Sequence, residues 1–153
     1  MNWTGGCLCG DVRYSFEGDP LWKCHCHCSM CRRLTGAGFG SWIVFPANAF
    51  SWTKGQPSFY RSSSEAEVGF CGTCGGTMTF HRVNEASAAL GSLDHPEKVP
   101  SGTNGLHVFT EDQIPWLRIE DDLPRYEQFG PGREEETNTW PKMGDNPTHR
   151  EQK

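Results

Sequence analysis

The sequence predicts an all-β domain stapled by metal-binding knuckles, on three observations. Strand-length segments of apolar or alternating residues recur between turn signals rich in Gly, Pro, Asn and Asp. No stretch shows the spacing of an amphipathic helix over roughly ten residues or more. All eight cysteines fall into two spaced pairs and one dense cluster.

The chain of 153 residues fits one domain with a modest core. Its 18 Gly, 10 Pro, 9 Phe and 6 Trp suit a turn-rich, aromatic-rich β fold. A formal net charge of -5 argues against a nucleic-acid partner. Arg32, Arg33 and Arg61 could make at most a local basic patch. The stretch Met1 to Gly6 has neither a basic nor an apolar leader region, and no run approaches the ~20 apolar residues of a membrane span. No membrane partner is expected, and the cytoplasm is the expected location. Thiols stay reduced there, so clustered cysteines point to metal. Disulfides are the minor alternative, and adjacent Cys-x-Cys pairs are poor mutual disulfides.

Gly5-Gly6-Cys7-Leu8-Cys9-Gly10 is a ligand pair wrapped in glycine. On an extended backbone residues i and i+2 face the same way, so Cys7 and Cys9 can grip one ion. Asp11 to Glu17 alternates like a strand, and Gly18-Asp19-Pro20 is a turn. The cluster Cys24-His25-Cys26-His27-Cys28-Ser29-Met30-Cys31 follows, and Ser29 to Leu34 suits a short helical turn. Phe39 to Phe45 looks like a buried strand stopped by Pro46. Phe50 to Thr53, Ser58 to Ser62, Glu67 to Cys71, Thr77 to Arg82, Ala88 to Leu93, Leu106 to Phe109 and Ile114 to Ile119 are further strand candidates. Residues 5–126 form the expected domain and 127–153 a polar tail in which Glu134 to Glu136 are solvated.

The outer pairs suggest a closed, structural zinc on Cys7, Cys9, Cys71 and Cys74. They lie about sixty residues apart, so the ion would staple the start of the domain to its middle. A redox role for Cys71 and Cys74 is disfavoured, because the pair runs into Gly-Gly and a strand rather than opening a helix. The central cluster offers Cys26, Cys28 and Cys31 as Cys-x-Cys-x-x-Cys. Three thiolates leave one corner of a tetrahedral ion open, which marks a catalytic zinc. Such a charge-rich, soft site suits a substrate thiolate better than a metal hydroxide. Spacing equally permits Cys24 to close the site as a second structural zinc. His25 and His27 could also ligate, but on a regular strand they point away from the cysteines, as polar partners or pocket-lining groups.

In order along the chain stand Gly-Gly-Cys7-Leu-Cys9-Gly, Cys26-His-Cys28-Ser-Met-Cys31-Arg-Arg-Leu-Thr-Gly, Gly-Phe-Cys71-Gly-Thr-Cys74-Gly-Gly and Gly91-Ser-Leu-Asp94. Less specifically, His107-Val-Phe and Trp116 precede Asp122-Leu-Pro. This pattern resembles the glutathione-dependent formaldehyde-activating enzyme (Gfa, or centromere-protein-V-like) family. The resemblance implies a β-tent of short antiparallel sheets. It implies a structural zinc on Cys7, Cys9, Cys71 and Cys74, and a catalytic zinc on Cys26, Cys28 and Cys31. It also implies carbon–sulfur lyase chemistry that makes or breaks a thiol–carbonyl adduct such as S-hydroxymethylglutathione. Glutathione or a similar thiol and a small carbonyl are then the partners, and self-association is compatible with the sequence. The competing function is a non-catalytic two-zinc scaffold.

Around the cluster, Ser29 is expected to cap the helical turn rather than contact a substrate or a sulfur ligand, and Arg32 either pairs on the surface or orients a substrate. Phe39, Trp42 and Phe45 are expected in the core rather than on a pocket wall. Asp94 either transfers protons or starts the turn before Pro96. His107 either reaches the pocket or is a buried, hydrogen-bonded histidine.

Overall fold

The computed structural model describes residues 1–101, 103 and 105–133. Ten strands and one α-helix account for the regular structure among them, beside single 3-10 turns. Strands β1 (Asn2–Gly6), β2 (Arg13–Glu17) and β5 (Phe50–Lys54) form an antiparallel sheet in the order β1-β2-β5. The larger sheet holds β3 (Trp22–Cys26), β4 (Gly40–Pro46), β6 (Ser58–Arg61), β7 (Glu67–Phe70), β8 (Thr77–His81), β9 (Glu85–Ala89) and β10 (Gly105–Val108). Its order is β10-β3-β4-β9-β8-β7-β6. Every pair is antiparallel except β10 with β3, which run parallel at the edge.

Strand β4 explains how the fold positions the cysteines. Its run Trp42-Ile43-Val44-Phe45 is buried throughout, so both faces are covered. Ile43 and Phe45 face the small sheet, where they meet Trp3, Tyr14 and Phe16 in the main core. Phe16 stacks on Phe45 with ring centroids 4.3 Å apart. Trp42 faces the other way, into a second cluster with Cys24, Cys26, Cys28 and Cys31. One strand thus separates the load of the core from the chemistry of the cysteines.

Several elements depart from the sequence expectation. Strand β1 was hidden because its buried positions are Trp3 and Thr4's neighbour Gly5, which lacks an apolar side chain. Cys7 to Gly10 form a turn after β1, not a continuing strand. The strand expected over Ala88 to Leu93 is displaced: β9 ends at Ala89, and Leu90–Ser92 is a 3-10 turn in which Ser92 Oγ donates to the Ala89 carbonyl at 2.8 Å. Ile114 to Ile119 is not a strand. Pro115 has no N–H for a ladder, and the Leu117 amide instead donates back to the Ile114 carbonyl.

The packed fold reaches Arg133. Phe129 meets Phe109 edge-on at 4.9 Å, and Arg133 makes two hydrogen bonds to Glu85 at 2.8 and 3.2 Å. The remainder of the expected tail, 134–153 with Glu134 to Glu136, lies outside the described residues. Among the described residues no helix is long and apolar enough to cross a membrane.

Candidate functional site

The chain folds its cysteines into two groups. The Sγ atoms of Cys7, Cys9, Cys71 and Cys74 lie within 4.8 Å of one another, as do those of Cys26, Cys28 and Cys31. All eight cysteines are free thiols. Cys9 Sγ lies 3.5 Å from Cys7 Sγ and 3.7 Å from Cys71 Sγ, and Cys26 Sγ lies 3.4 Å from Cys28 Sγ. A disulfide needs about 2.05 Å. Tetrahedral zinc, with bonds near 2.3 Å, sets its sulfurs about 3.8 Å apart. The separations fit a shared soft cation and exclude bonded sulfur. Either cluster could therefore hold a metal ion.

The first cluster is built from two tight turns. After β1, the Gly10 amide closes on the Cys7 carbonyl at 3.1 Å, and the Val12 amide donates to Cys7 Sγ at 3.3 Å. After β7, the Gly75 amide closes on the Cys71 carbonyl at 2.8 Å. Gly75 has φ +74°, a conformation that side chains strain. Hydrogen bonds from the Cys9 and Gly76 backbones lower the Cys74 thiol to about 6, which favours the ligating thiolate. Cys71 is buried, Cys74 half-buried and Cys9 exposed.

The second cluster is wholly buried. Cys26 ends β3. Cys28 is the N-cap of helix α1 (Ser29–Thr35), and its Sγ accepts the Cys31 amide at 3.3 Å. The expected cap, Ser29, is instead the first helical residue. Cys31 lies on the buried face of that first turn. Hydrogen bonds from the Cys26 and Cys31 thiols, then backbone donation from Cys31 and Met30, hold the Cys28 thiol far below its usual range against the opposing effect of burial. The other two thiols are pushed up, so the three share one readily formed negative charge. Gly40, opposite Cys26 on β4, is required by close approach: a Cβ there would stand 3.0 Å from Cys31 Cβ and 2.6 Å from Trp42 Nε1.

Cys24 is not a member of this cluster. It lies two residues before Cys26 on the same face of β3, opposite Trp42, and is buried. Burial pushes its thiol up to about 12, so it stands as a neutral wall group. Cys24, Cys26 and Cys31 face a cavity of about 60 Å³. Trp42 lines this cavity, contrary to the expectation of a purely core role, and its indole N–H is buried without a partner. Phe45 is a core residue as expected, and Phe39 lines a separate cleft on the opposite face of the sheet.

That opposite face holds the histidines, as strand parity predicts. His25 pairs in register with Ser41 and His107, and its Nδ1 lies 2.8 Å from Ser41 Oγ. His27 Nε2 lies 2.8 Å from His107 Nδ1, and His107 Nε2 lies 2.9 Å from Asp121 Oδ2. His107 is therefore the buried, hydrogen-bonded histidine rather than a pocket group. Asp121 was missed in the sequence, where only its neighbour Asp122 stood out. Asp94 accepts from Arg13 and from Thr4 Oγ1, which lowers its carboxyl, and it lines the other cleft rather than the second cluster's cavity. Arg32 and Arg33 occupy the last turn of α1, where cations suit the helix dipole. The Arg32 Nε is buried without a partner.

The family model described as glutathione-dependent formaldehyde-activating enzyme matches residues 2–112. An uncharacterized lyase of Schizosaccharomyces pombe is 35% identical over 91 residues. That match covers 54% of this chain and 59% of the relative, so the chain spans a little over half the length of that curated relative. A crystal structure of a Rhodobacter sphaeroides protein is 23% identical with a TM-score of 0.49, covering 66% of this chain and 90% of the other. The matched residues take in all eight cysteines and most of the chain, and the chain belongs to the glutathione-dependent formaldehyde-activating enzyme family.

Proposed function

We propose that the protein is a zinc-dependent carbon–sulfur lyase that forms or cleaves a thiol–carbonyl adduct, of which S-hydroxymethylglutathione is the family example. Family membership and the lyase name of the yeast relative support the reaction class. The observation that carries the chemistry is the buried three-sulfur cluster, with Cys24 outside it and a cavity in front. A closed four-cysteine site would have no room for a substrate atom.

Cys7, Cys9, Cys71 and Cys74 would hold a structural zinc, and Cys26, Cys28 and Cys31 a catalytic one. Zinc bound by the three central thiolates supplies a soft Lewis acid that keeps a substrate thiol deprotonated near neutral pH. The chain's own residues do the rest. The Cys31 amide fixes Cys28, and the β3–β4 register fixes Cys26, so the donor set is preorganised. Trp42, Phe80 and Phe109 give the cavity apolar walls beside the cluster. The thiol sulfur adds to the carbonyl carbon, and the thiol proton ends on the carbonyl oxygen. Nothing is oxidised or reduced, so no redox cofactor is called for. Eight free thiols suit a reducing compartment, and the cytoplasm is the location we favour.

The test mixes zinc-loaded protein with glutathione and formaldehyde and follows adduct formation by NMR. A rate above the uncatalysed one, lost in Cys28→Ser, is expected. A rate equal to the uncatalysed one sinks formaldehyde and glutathione as the pair.

A further inference from the structure

We propose that the indole N–H of Trp42 donates a hydrogen bond to the metal-bound sulfur of Cys31, and that this bond makes the ligand a poorer nucleophile than the substrate thiolate. The inference rests on the lyase reading for the metal at Cys26, Cys28 and Cys31, while the donor is argued from strand geometry. Trp42 is 4% exposed, and its Nε1 is buried without a hydrogen-bond partner. A buried indole N–H ordinarily finds an acceptor, because leaving it unpaired forfeits its hydration for nothing. Such an orphan calls for an acceptor that the loaded site supplies.

The position of the ring names that acceptor. Gly40 stands opposite Cys26 and Trp42 opposite Cys24, so the indole lies on the cysteine face of β4. It leans back along the strand over Gly40. A Cβ at Gly40 would stand 2.6 Å from Trp42 Nε1 and 3.0 Å from Cys31 Cβ, so the nitrogen and the Cys31 side chain are neighbours across one empty methyl position. Cys26 and Cys31 are the polar side chains that the cavity lining brings to this end of β4. Ser87 and Glu85 pair with Val44 and Pro46 at the other end. Cys24 offers only a neutral thiol, a weak acceptor. Cys28 Sγ already accepts the Cys31 amide at 3.3 Å, and Trp42 gives Cys31 the corresponding bond. The consequence is chemical. A substrate thiolate on this metal competes with three cysteine thiolates for the carbonyl carbon. An N–H donated to a thiolate draws charge from the sulfur and slows its attack. With Cys28 and Cys31 damped in this way, the incoming sulfur is the one that adds.

Two measurements on the full chain test the bond. In protein loaded with spin-half cadmium, a hydrogen bond to metal-bound sulfur transmits a scalar coupling from the metal to the donated proton. The indole proton that disappears in Trp42→Phe should show that coupling. In zinc-loaded protein, iodoacetamide labelling of Cys31, followed by peptide mass spectrometry, should run about 5-fold faster in Trp42→Phe, whereas Phe80→Leu, which loosens the same cavity and keeps the donor, should stay within about twofold of the wild type. Metal content and melting curves confirm that each variant is folded and loaded. With both sites filled, an uncoupled indole proton overturns the assignment, as does unchanged Cys31 labelling in Trp42→Phe or an equal rise in Phe80→Leu. A coupled proton without faster adduct formation from glutathione and formaldehyde supports the assignment and removes the lyase reading. An uncoupled proton beside faster adduct formation overturns the assignment and leaves the lyase reading standing. A central cluster that takes up no metal removes both.

Discussion

His27 Nε2 lies 2.8 Å from His107 Nδ1, with both side chains fully buried. Asp121 fixes the tautomers of the pair. Its carboxylate accepts from His107 Nε2–H, which leaves His107 Nδ1 as the acceptor for His27 Nε2–H. His27 sits between two cluster cysteines, and its amide also donates to the Val108 carbonyl at 3.0 Å. Strand β10 is thereby fastened to the metal loop by side chain and backbone together.

His107→Leu should therefore act on the loop as well as on the core. It strands a buried N–H on His27, at a cost of about 1–3 kcal/mol. It also frees the loop, and zinc affinity at Cys26, Cys28 and Cys31 should fall about 10-fold, as for other groups that orient metal ligands. Asp121→Asn keeps an acceptor oxygen and should do less of both. Urea denaturation reports the first effect and chelator competition the second. Unchanged metal affinity in His107→Leu would confine the pair to a packing role.

Cys24 provides a direct count. Cys24→Ala should retain two zinc ions per chain, whereas Cys26→Ser, Cys28→Ser or Cys31→Ser should lose one. The alanine leaves a small void and should cost about 1 kcal/mol or somewhat more. Elemental analysis of the purified variants measures the count. Loss of one ion from Cys24→Ala would return the protein to the two-zinc scaffold.

That Cys26, Cys28 and Cys31 come together was legible because cysteine spacing is a local signal. Strand parity likewise places Cys24 and Cys26 on one face and His25 on the other before any coordinates are known. Whether Cys24 joins the three was not legible, since parity alone puts it on the right face. The helix cap decides it: the chain turns at Cys28 into α1, bringing Cys31 back to Cys26 and leaving Cys24 along the strand. Nor was the cavity legible. Glu85 and Arg133 are 48 positions apart, and only the closed fold pairs them over Trp22. Trp42 looked like core because β4 is apolar on both faces, and composition cannot tell which face meets a cavity.

The outer cluster should behave as a staple. It joins the turn after β1 to the turn after β7, so Cys71→Ser removes a constraint that spans half the described fold. Stability should fall by several kcal/mol, because structural metal binding is coupled to folding. Gly75→Ala should give a milder version, about 1–2 kcal/mol, through its φ of +74° alone. Thermal melts with and without chelator separate the two: chelation should level the wild type with Cys71→Ser, and a Cys71→Ser melt unchanged from the wild type would deny the staple.

A last prediction concerns acid. His81 packs against Phe50, Trp52 and Phe59, with its ring 4.7 Å from Phe50 and Nε2 2.8 Å from Thr79 Oγ1. Burial lowers its proton affinity below the ordinary 6.5, and the opposing pull of Glu67 does not restore it. As pH falls through 6.5 the unfolded chain takes up a proton that the folded histidine refuses. The unfolded state then binds more protons, so stability decreases with falling pH until the folded pKa is reached. Above 6.5 both states are neutral and the full contribution is present. Acid also releases zinc from thiolates, so the wild-type loss alone proves nothing. The informative quantity is the difference between wild type and His81→Gln, melted at pH 7.5 and 5.5. The glutamine variant should lose less stability over that interval. Equal losses in the two proteins would remove His81 from the acid response and leave the cysteine clusters to account for all of it.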